Sequence, residues 1–263
     1  MQYVVFNQKG GVGKSTIACN LAAISAAQGL RTLVIDLDSQ GNATRYLLGS
    51  ELPEDLPNAA QFFEQSLKFT LRDKGAEEFI VSSPWDNLDV LPSSPELDEL
   101  HGKLESRHKI YKLRDALEAL GKEYDQIYID TPPALNFYSR CALIAAQACL
   151  IPFDCYDFSR RALYTLLENV QEIQADHNAD LHVAGIIVNQ FQPRANLPQR
   201  MVQELTDEGL PVLQPYLSAS VKVRESHEQA TPMVHLDAKH KLTQEYVALH
   251  DTLRRQARQA RQK

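Results

Sequence analysis

Residues 7–16 read NQKGGVGKST and follow directly on the apolar run YVVF at 3–6. Three of the chain's 11 glycines fall in this turn, at 10, 11 and 13, just ahead of Lys14, Ser15 and Thr16. Glycine lets successive backbone N–H groups curl toward one phosphate, and a helix starting there adds positive potential. A lysine and a hydroxyl closing such a loop suit the β- and γ-phosphates and a magnesium ion, respectively. The turn therefore predicts nucleotide contacts from Gly10, Gly11, Val12, Gly13, Lys14, Ser15 and Thr16, with Ser15 also a magnesium ligand. It departs from the pattern G-x-x-x-x-G-K-[ST] in one place. Gln8 stands where the opening glycine should be, and a second lysine, Lys9, sits beside the glycines.

Phosphate chemistry with magnesium calls for carboxylates elsewhere in the chain, and two stretches supply them. YDQIYIDTPP places Asp130 at the C-terminal end of an apolar strand, where it would hold the metal's water shell. VIDLDSQGNAT places Asp36 and Asp38 two residues apart at the end of another strand. Residues at i and i+2 leave a strand on one side, so both can face the glycine loop. Asp36 suits a magnesium-linked role, and Asp38 suits the orientation of an attacking water. A helix cap would explain Ser39 or Asn42 but explains the doublet poorly.

The elements that must position these groups alternate. Strand-like runs fall at 3–6, 32–36, 88–93, 126–130, 148–153 and 182–190, with a weaker one at 210–217. Helical patterns lie between them: one carries Ile17, Leu21 and Ile24 and ends near Gly29, and others cover 134–147, 160–176 and 196–208. The stretch from about 50 to 87 is less regular and reads as an inserted helical region. Alternation implies right-handed crossovers. The expected fold is α/β: a single P-loop NTPase domain over 1–250, its mainly parallel twisted sheet covered by helices on both faces. Residues 251–263 read as a basic C-terminal helix end or tail.

Composition sets bounds on this reading. With 263 residues, 44% hydrophobic and 23% charged, the chain is that of a soluble globular protein. Cys19, Cys141, Cys149 and Cys155 show neither paired nor metal-like spacing, which reads as reduced cytosolic thiols. The apolar run behind Lys14 imitates a signal peptide, but a strand and a glycine loop precede it and Asn20 interrupts it. No run approaches a membrane span. The net charge of −7 is uneven: residues 239–263 hold seven Lys/Arg against Glu245 and Asp251, a net of +5, which leaves −12 on the rest. A basic end on an acidic body suits an anionic partner, although a solvated helix end has the same composition.

Taken together, KGGVGKST, DLDSQGNAT and YDQIYIDTPP resemble the deviant Walker A ATPases, most closely the ParA family of partition ATPases, in motif order from residue 1 to about 250. In that family the position of Gln8 is not glycine, and Lys9 matches the signature lysine. The resemblance implies ATP and Mg²⁺ as cofactors and a sandwich homodimer in the ATP state. Lys9 would reach the partner's phosphates there, as an arginine finger does in trans. Lys9, Lys14 and Asp38 would be the catalytic set. The resemblance also implies binding of non-specific double-stranded DNA, hydrolysis stimulated by a ParB-like or adaptor protein, and a cytoplasmic, nucleoid-associated location. The cargo would be DNA or a protein assembly. Arg194, Lys222 and Arg224 match the family's DNA-contacting residues by order, and Asn189 falls where related folds meet adenine.

Two positions depart from the family pattern. Ser39 stands where proline is usual, and LSAS at 217–220 replaces an IPRN-like stretch near the base-binding loop. The chain begins at its first strand, so the expectation is that it lacks the operator-reading extension of some plasmid members. A MinD-like membrane-cycling ATPase shares every motif, and Leu242, Tyr246, Leu249 and Leu253 form an apolar helical stripe. That stripe is short, however, and 254–263 holds no apolar residue larger than alanine. An iron–sulfur relative would need cysteines in the loop after Asp130, and none is there. A P-loop metabolic synthetase would not need Lys9.

Overall fold

The structure is a computed structural model that describes residues 1–68, 74–155 and 160–260. Its strands are β1 (Gln2–Val5), β2 (Thr32–Asp36), β3 (Val81–Ser82), β4 (Leu88–Leu91), β5 (Gln126–Asp130), β6 (Ala148–Asp154) and β7 (His182–Asn189). They form one sheet in the order β3-β4-β2-β5-β1-β6-β7. Every pairing is parallel except the two-residue β3 against β4. Parallel strands covered on both faces have no solvent side, so they read as unbroken apolar runs.

The helices are α1 (Lys14–Ala27), α2 (Asn42–Leu48), α3 (Ala59–Glu64), α4 (Leu97–Ser106), α5 (Lys112–Leu120) and α6 (Phe137–Ala145). They continue with α7 (Arg160–Asp176), α8 (Asn196–Asp207), α9 (Lys222–Glu228), α10 (Met233–Leu236) and α11 (Lys241–Ala260). Two apolar cores follow from the alternation of strand side chains. Val4, Leu33, Ile35, Ile127 and Ile129 pack with α3 to α8. Tyr3, Val5, Val34, Val90 and Tyr128 pack on the opposite face with α1, α2 and α11.

The structure answers several expectations about elements. The 134–147 helix starts late, at Phe137, because Asn136 caps it with bonds from the Tyr138 and Ser139 amides. No strand forms at 210–217. Pro211 and Pro215 lack the N–H that a ladder needs, and only an isolated bridge joins Val212 to Ile186. The irregular 50–87 region holds α3, two short 3₁₀ turns and β3. Leu242, Tyr246, Leu249 and Leu253 are all at most 2% exposed and pack into the α1-side core. That stripe is a core seam. α11 runs on through residue 250, so 251–260 is its helical end, while Arg261 and Lys263 of the basic tail lie outside the described residues. No described helix is long and apolar enough to cross a membrane.

Candidate functional site

Register brings the predicted carboxylates together. Asp36 and Asp130 are direct partners on β2 and β5, and Val5, the last residue of β1, pairs with Asp130 on its other side. The loops that follow β1, β2 and β5 therefore open at one carboxyl edge of the sheet, where open α/β sheets bind ligands.

The glycine loop is held in shape by polar bonds. Gly11 and Gly13 have φ of +78° and +92°, a region that penalises side chains. The Asn7 side chain donates to Pro152 O at 2.7 Å and accepts from the Lys9 amide at 2.9 Å. Lys14 is buried, and its Nζ donates to Lys9 O at 3.0 Å. Burial lowers the Lys14 pKa, while Asp130 and then Asp38 oppose that shift.

The two strand-end carboxylates differ in what they touch. Asp36 Oδ2 accepts from the Thr44 amide at 2.8 Å and the Thr44 hydroxyl at 2.7 Å, and Oδ1 accepts from the Asp38 amide at 3.1 Å. Burial still pushes its pKa up to about 6. Asp130 is equally buried, yet neither of its oxygens has a hydrogen-bond partner. Burial and then the Asp36 charge push its pKa well above the carboxylate range. The Ser15 side chain and the Lys14 ammonium hold it down, Ser15 from nearby rather than through a well-formed hydrogen bond. A buried carboxylate with empty lone pairs beside a hydroxyl is a donor set suited to a hard divalent cation and its waters. Asp36 also fixes the β2–α2 loop through the three hydrogen bonds it accepts.

Asp38 is 6% exposed, and its Oδ1 accepts from the Gln40 amide at 3.1 Å. Its carbonyl accepts from the Ser93 hydroxyl at 2.5 Å, and the Ser93 amide donates to Thr44 Oγ1 at 2.8 Å. Thr44 and Ser93 thus close a ring that ties Asp36 to Asp38. The sequence reading missed both residues, because they lie 49 positions apart and only the fold joins them.

On the other side of the loop, a cleft of about 730 Å³ is lined by Gly11, Gly13, Thr16, Asn189, Ser218 and His227, among others. Asn189 donates to Val12 O at 3.0 Å, and a Cβ on Gly13 would come within 2.4 Å of that amide nitrogen. Asn189 thus braces the loop, and a side chain at position 13 would collide with the brace. The departing stretch at 217–220 lines the cleft through Ser218, Ala219 and Ser220. Arg224 lines it too, whereas Arg194 lies across the 218–220 loop in a neighbouring groove with His240 and Lys241. Lys222 is ion-paired with Glu225 at 2.7 Å. His227, also missed in the sequence, shares a 2.9 Å hydrogen bond with Thr16.

Comparison with known proteins agrees with this geometry. Residues 2–183 match a sequence family described as an AAA domain. The chromosome partitioning protein ParA of Myxococcus xanthus is 34% identical over 247 residues, which span 93% of this chain and 84% of that protein. The sporulation initiation inhibitor protein Soj of Bacillus subtilis is 30% identical over 93% of this chain and 94% of its own. Among solved structures, cobyrinic acid a,c-diamide synthase from Mycobacterium smegmatis with bound ADP and magnesium superposes with a TM-score of 0.82. It is 26% identical, and the match covers 98% of this chain and 95% of that one. On the glycine loop, the strand-end aspartates and identity along nearly the whole length, the chain belongs to the ParA family of partition ATPases.

Proposed function

We propose that this chain binds ATP·Mg²⁺, closes into a homodimer around it, and in that state holds double-stranded DNA without sequence preference. Hydrolysis, stimulated by a partner protein, then ends the bound state. The observation that carries the nucleotide reading is the buried, unpartnered carboxylate of Asp130 beside Ser15 and Lys14. The Mycobacterium smegmatis structure, with its ADP and magnesium, supports the same ligands here.

Each residue then has a physical task. The backbone of residues 10–13 and the Lys14 ammonium hold the phosphates. Ser15 and Asp130 hold magnesium, which when bound offsets the negative charge of the phosphate oxygens. Asp38, fixed by Gln40 and the Ser93 ring, orients a water and takes its proton. Lys9 of a second copy reaches across to the phosphates, where it counters charge that develops in phosphoryl transfer. Arg194 and Arg224, both exposed and on the same side of the molecule as the cleft, are the cations offered to DNA.

The synthetase reading calls for the same ligands, since the diamide synthase structure holds ADP and magnesium. It does not account for Lys9, and the identity to the chromosome partitioning protein of Myxococcus xanthus is higher than that to the synthase. The deciding experiment is binding to random-sequence duplex DNA with ATP, with ADP and without nucleotide, in the Asp38→Ala variant at two salt concentrations. Tight, salt-sensitive binding with ATP alone is expected, with a steeper salt slope for each phosphate contacted. Absence of binding under every nucleotide would sink the DNA reading, and turnover per subunit that does not depend on protein concentration would favour a synthetase.

A further inference from the structure

Two polar connections run from the first turn of α1 to the segment of α9 and α10, more than 200 residues later in the chain. The first joins Thr16 Oγ1 to His227 Nε2. The second runs through Asn20: its Nδ2 donates to Thr16 O at 2.8 Å, and its Oδ1 accepts from the Met233 amide at 2.8 Å. His227 is also stacked on Tyr46 of α2, with ring centroids 4.0 Å apart and planes at 18°. The Tyr46 hydroxyl in turn bonds the hydroxyl of Ser226, the neighbour of His227 on α9, and Asn20 Nδ2 donates to it at 3.1 Å. The imidazole is thus gripped on its face and at one nitrogen, while its edge lines the cleft beside the glycine loop.

We propose that His227 is a positioning residue that links nucleotide occupancy of the glycine loop to the placement of α9, the helix that carries Lys222 and Arg224. The inference rests on the reading that residues 10–16 hold ATP. The chemistry is that of a hydroxyl with two neighbours. Once Thr16 turns its proton toward a phosphate oxygen, its lone pair is open to the His227 Nε2–H. A hydroxyl that accepts one bond donates a stronger one. The row His227, Thr16, phosphate is then better satisfied than either half alone. Because α9 is a short helix bearing this imidazole, nucleotide that favours the row also favours one placement of α9. By reciprocity, whatever holds α9 in that placement raises nucleotide affinity.

The test uses the full chain with ATP and Mg²⁺ in the Asp38→Ala background, where turnover is suppressed. His227→Phe keeps a ring over Tyr46 and removes the bond, His227→Gln keeps a nitrogen donor, and Thr16→Val removes the hydroxyl at constant shape. ATP affinity is expected to fall about fivefold in His227→Phe, the loss typical of one neutral hydrogen bond, and further in Thr16→Val, which loses the phosphate contact as well. In the double variant it should fall no further than in Thr16→Val, and His227→Gln should recover most of the His227→Phe loss. Amide hydrogen exchange over 222–228 should slow on ATP addition in the parent and in His227→Gln, but not in nucleotide-saturated His227→Phe. Additive losses, or equal protection of α9 in His227→Phe, would overturn the coupling while leaving the nucleotide reading intact. No ATP binding in the parent would overturn both.

Discussion

Asp36 and Asp130 are partners on adjacent parallel strands, and of the two only Asp36 accepts hydrogen bonds. Two carboxylates in nearly the same place thus have opposite consequences when altered. Asp36 supports the loop that follows β2. Asp130 is a cost to the nucleotide-free protein, because a buried carboxyl without hydrogen-bond partners destabilises the fold even when burial keeps it protonated.

The first prediction separates them. Asp130→Asn should leave the nucleotide-free protein as stable or more so, with a rise of up to roughly 2–4 °C for each kcal/mol gained at this chain length. It should also lose the extra thermal stabilisation that magnesium adds to ATP. Asp36→Asn cannot accept the two Thr44 bonds and the Asp38 bond equally well, and should destabilise the nucleotide-free protein by about 1–3 kcal/mol. Thermal midpoints with and without Mg·ATP decide the matter. The reverse pattern would show that the roles had been exchanged.

The second prediction turns on the fact that Lys14 is anchored by the carbonyl of Lys9, not by its side chain. Lys9→Ala leaves that carbonyl in place, so the anchor of Lys14 is kept. ATP affinity of the isolated subunit should change by no more than about twofold, while turnover falls at least about a hundredfold, as for cations supplied in trans. Asp38→Ala should instead trap an ATP dimer that does not turn over. Equilibrium titration and sedimentation alongside phosphate release would distinguish the two. Full turnover in Lys9→Ala would remove the trans lysine from the mechanism.

These two tests also mark what the sequence made legible. The glycine loop could be read because its function resides in consecutive residues whose backbone must bend one way. β1, β2, β5 and β6 could be read because strands buried on both faces are largely apolar, and β4 and β7 because their apolar residues outweigh Asp89 and the exposed His182. β3, at two residues, is too short to leave a pattern, and its pairing with β4 is a tertiary event. In α4 and α5 the apolar positions Leu97, Leu100, Leu104, Leu113 and Leu117 are diluted by charged neighbours. At the site, Asp36, Asp38 and Asp130 stood out as strand ends. Thr44, Ser93 and His227 are ordinary polar residues until the fold carries each to a partner distant in sequence.

The third prediction concerns the expected DNA-facing cations. Lys222 is held by Glu225, whereas Arg224 is exposed. Arg194→Ala and Arg224→Ala should each lower the slope of log affinity against log salt by about one. Lys222→Ala should have a smaller effect, since its charge is already offset. Glu225→Gln should tighten DNA binding by releasing Lys222. Weaker binding in Glu225→Gln would mean that the ion pair itself presents α9 correctly, and would exclude Lys222 as a masked contact.

The last prediction lies away from the site, at His250 on α11. This residue is fully buried and neither ring nitrogen has a hydrogen-bond partner. Burial, and then the Arg254 charge, hold its pKa down at about 4, with Asp251 opposing. An unfolded histidine titrates near 6.5, so between pH 6.5 and 4 the unfolded chain binds more protons than the folded one. Stability is therefore full above about pH 6.5 and falls as the pH drops, by about 2 kcal/mol from this group between pH 7 and pH 5. His250→Leu removes both the titration and the unpartnered nitrogens at similar volume. Its urea midpoint at pH 7 should equal or exceed that of the parent, and the loss on going to pH 5 should shrink by that amount. If the Leu variant loses as much as the parent between these pH values, the acid sensitivity comes from other groups and folded His250 takes up its proton as readily as the unfolded chain does.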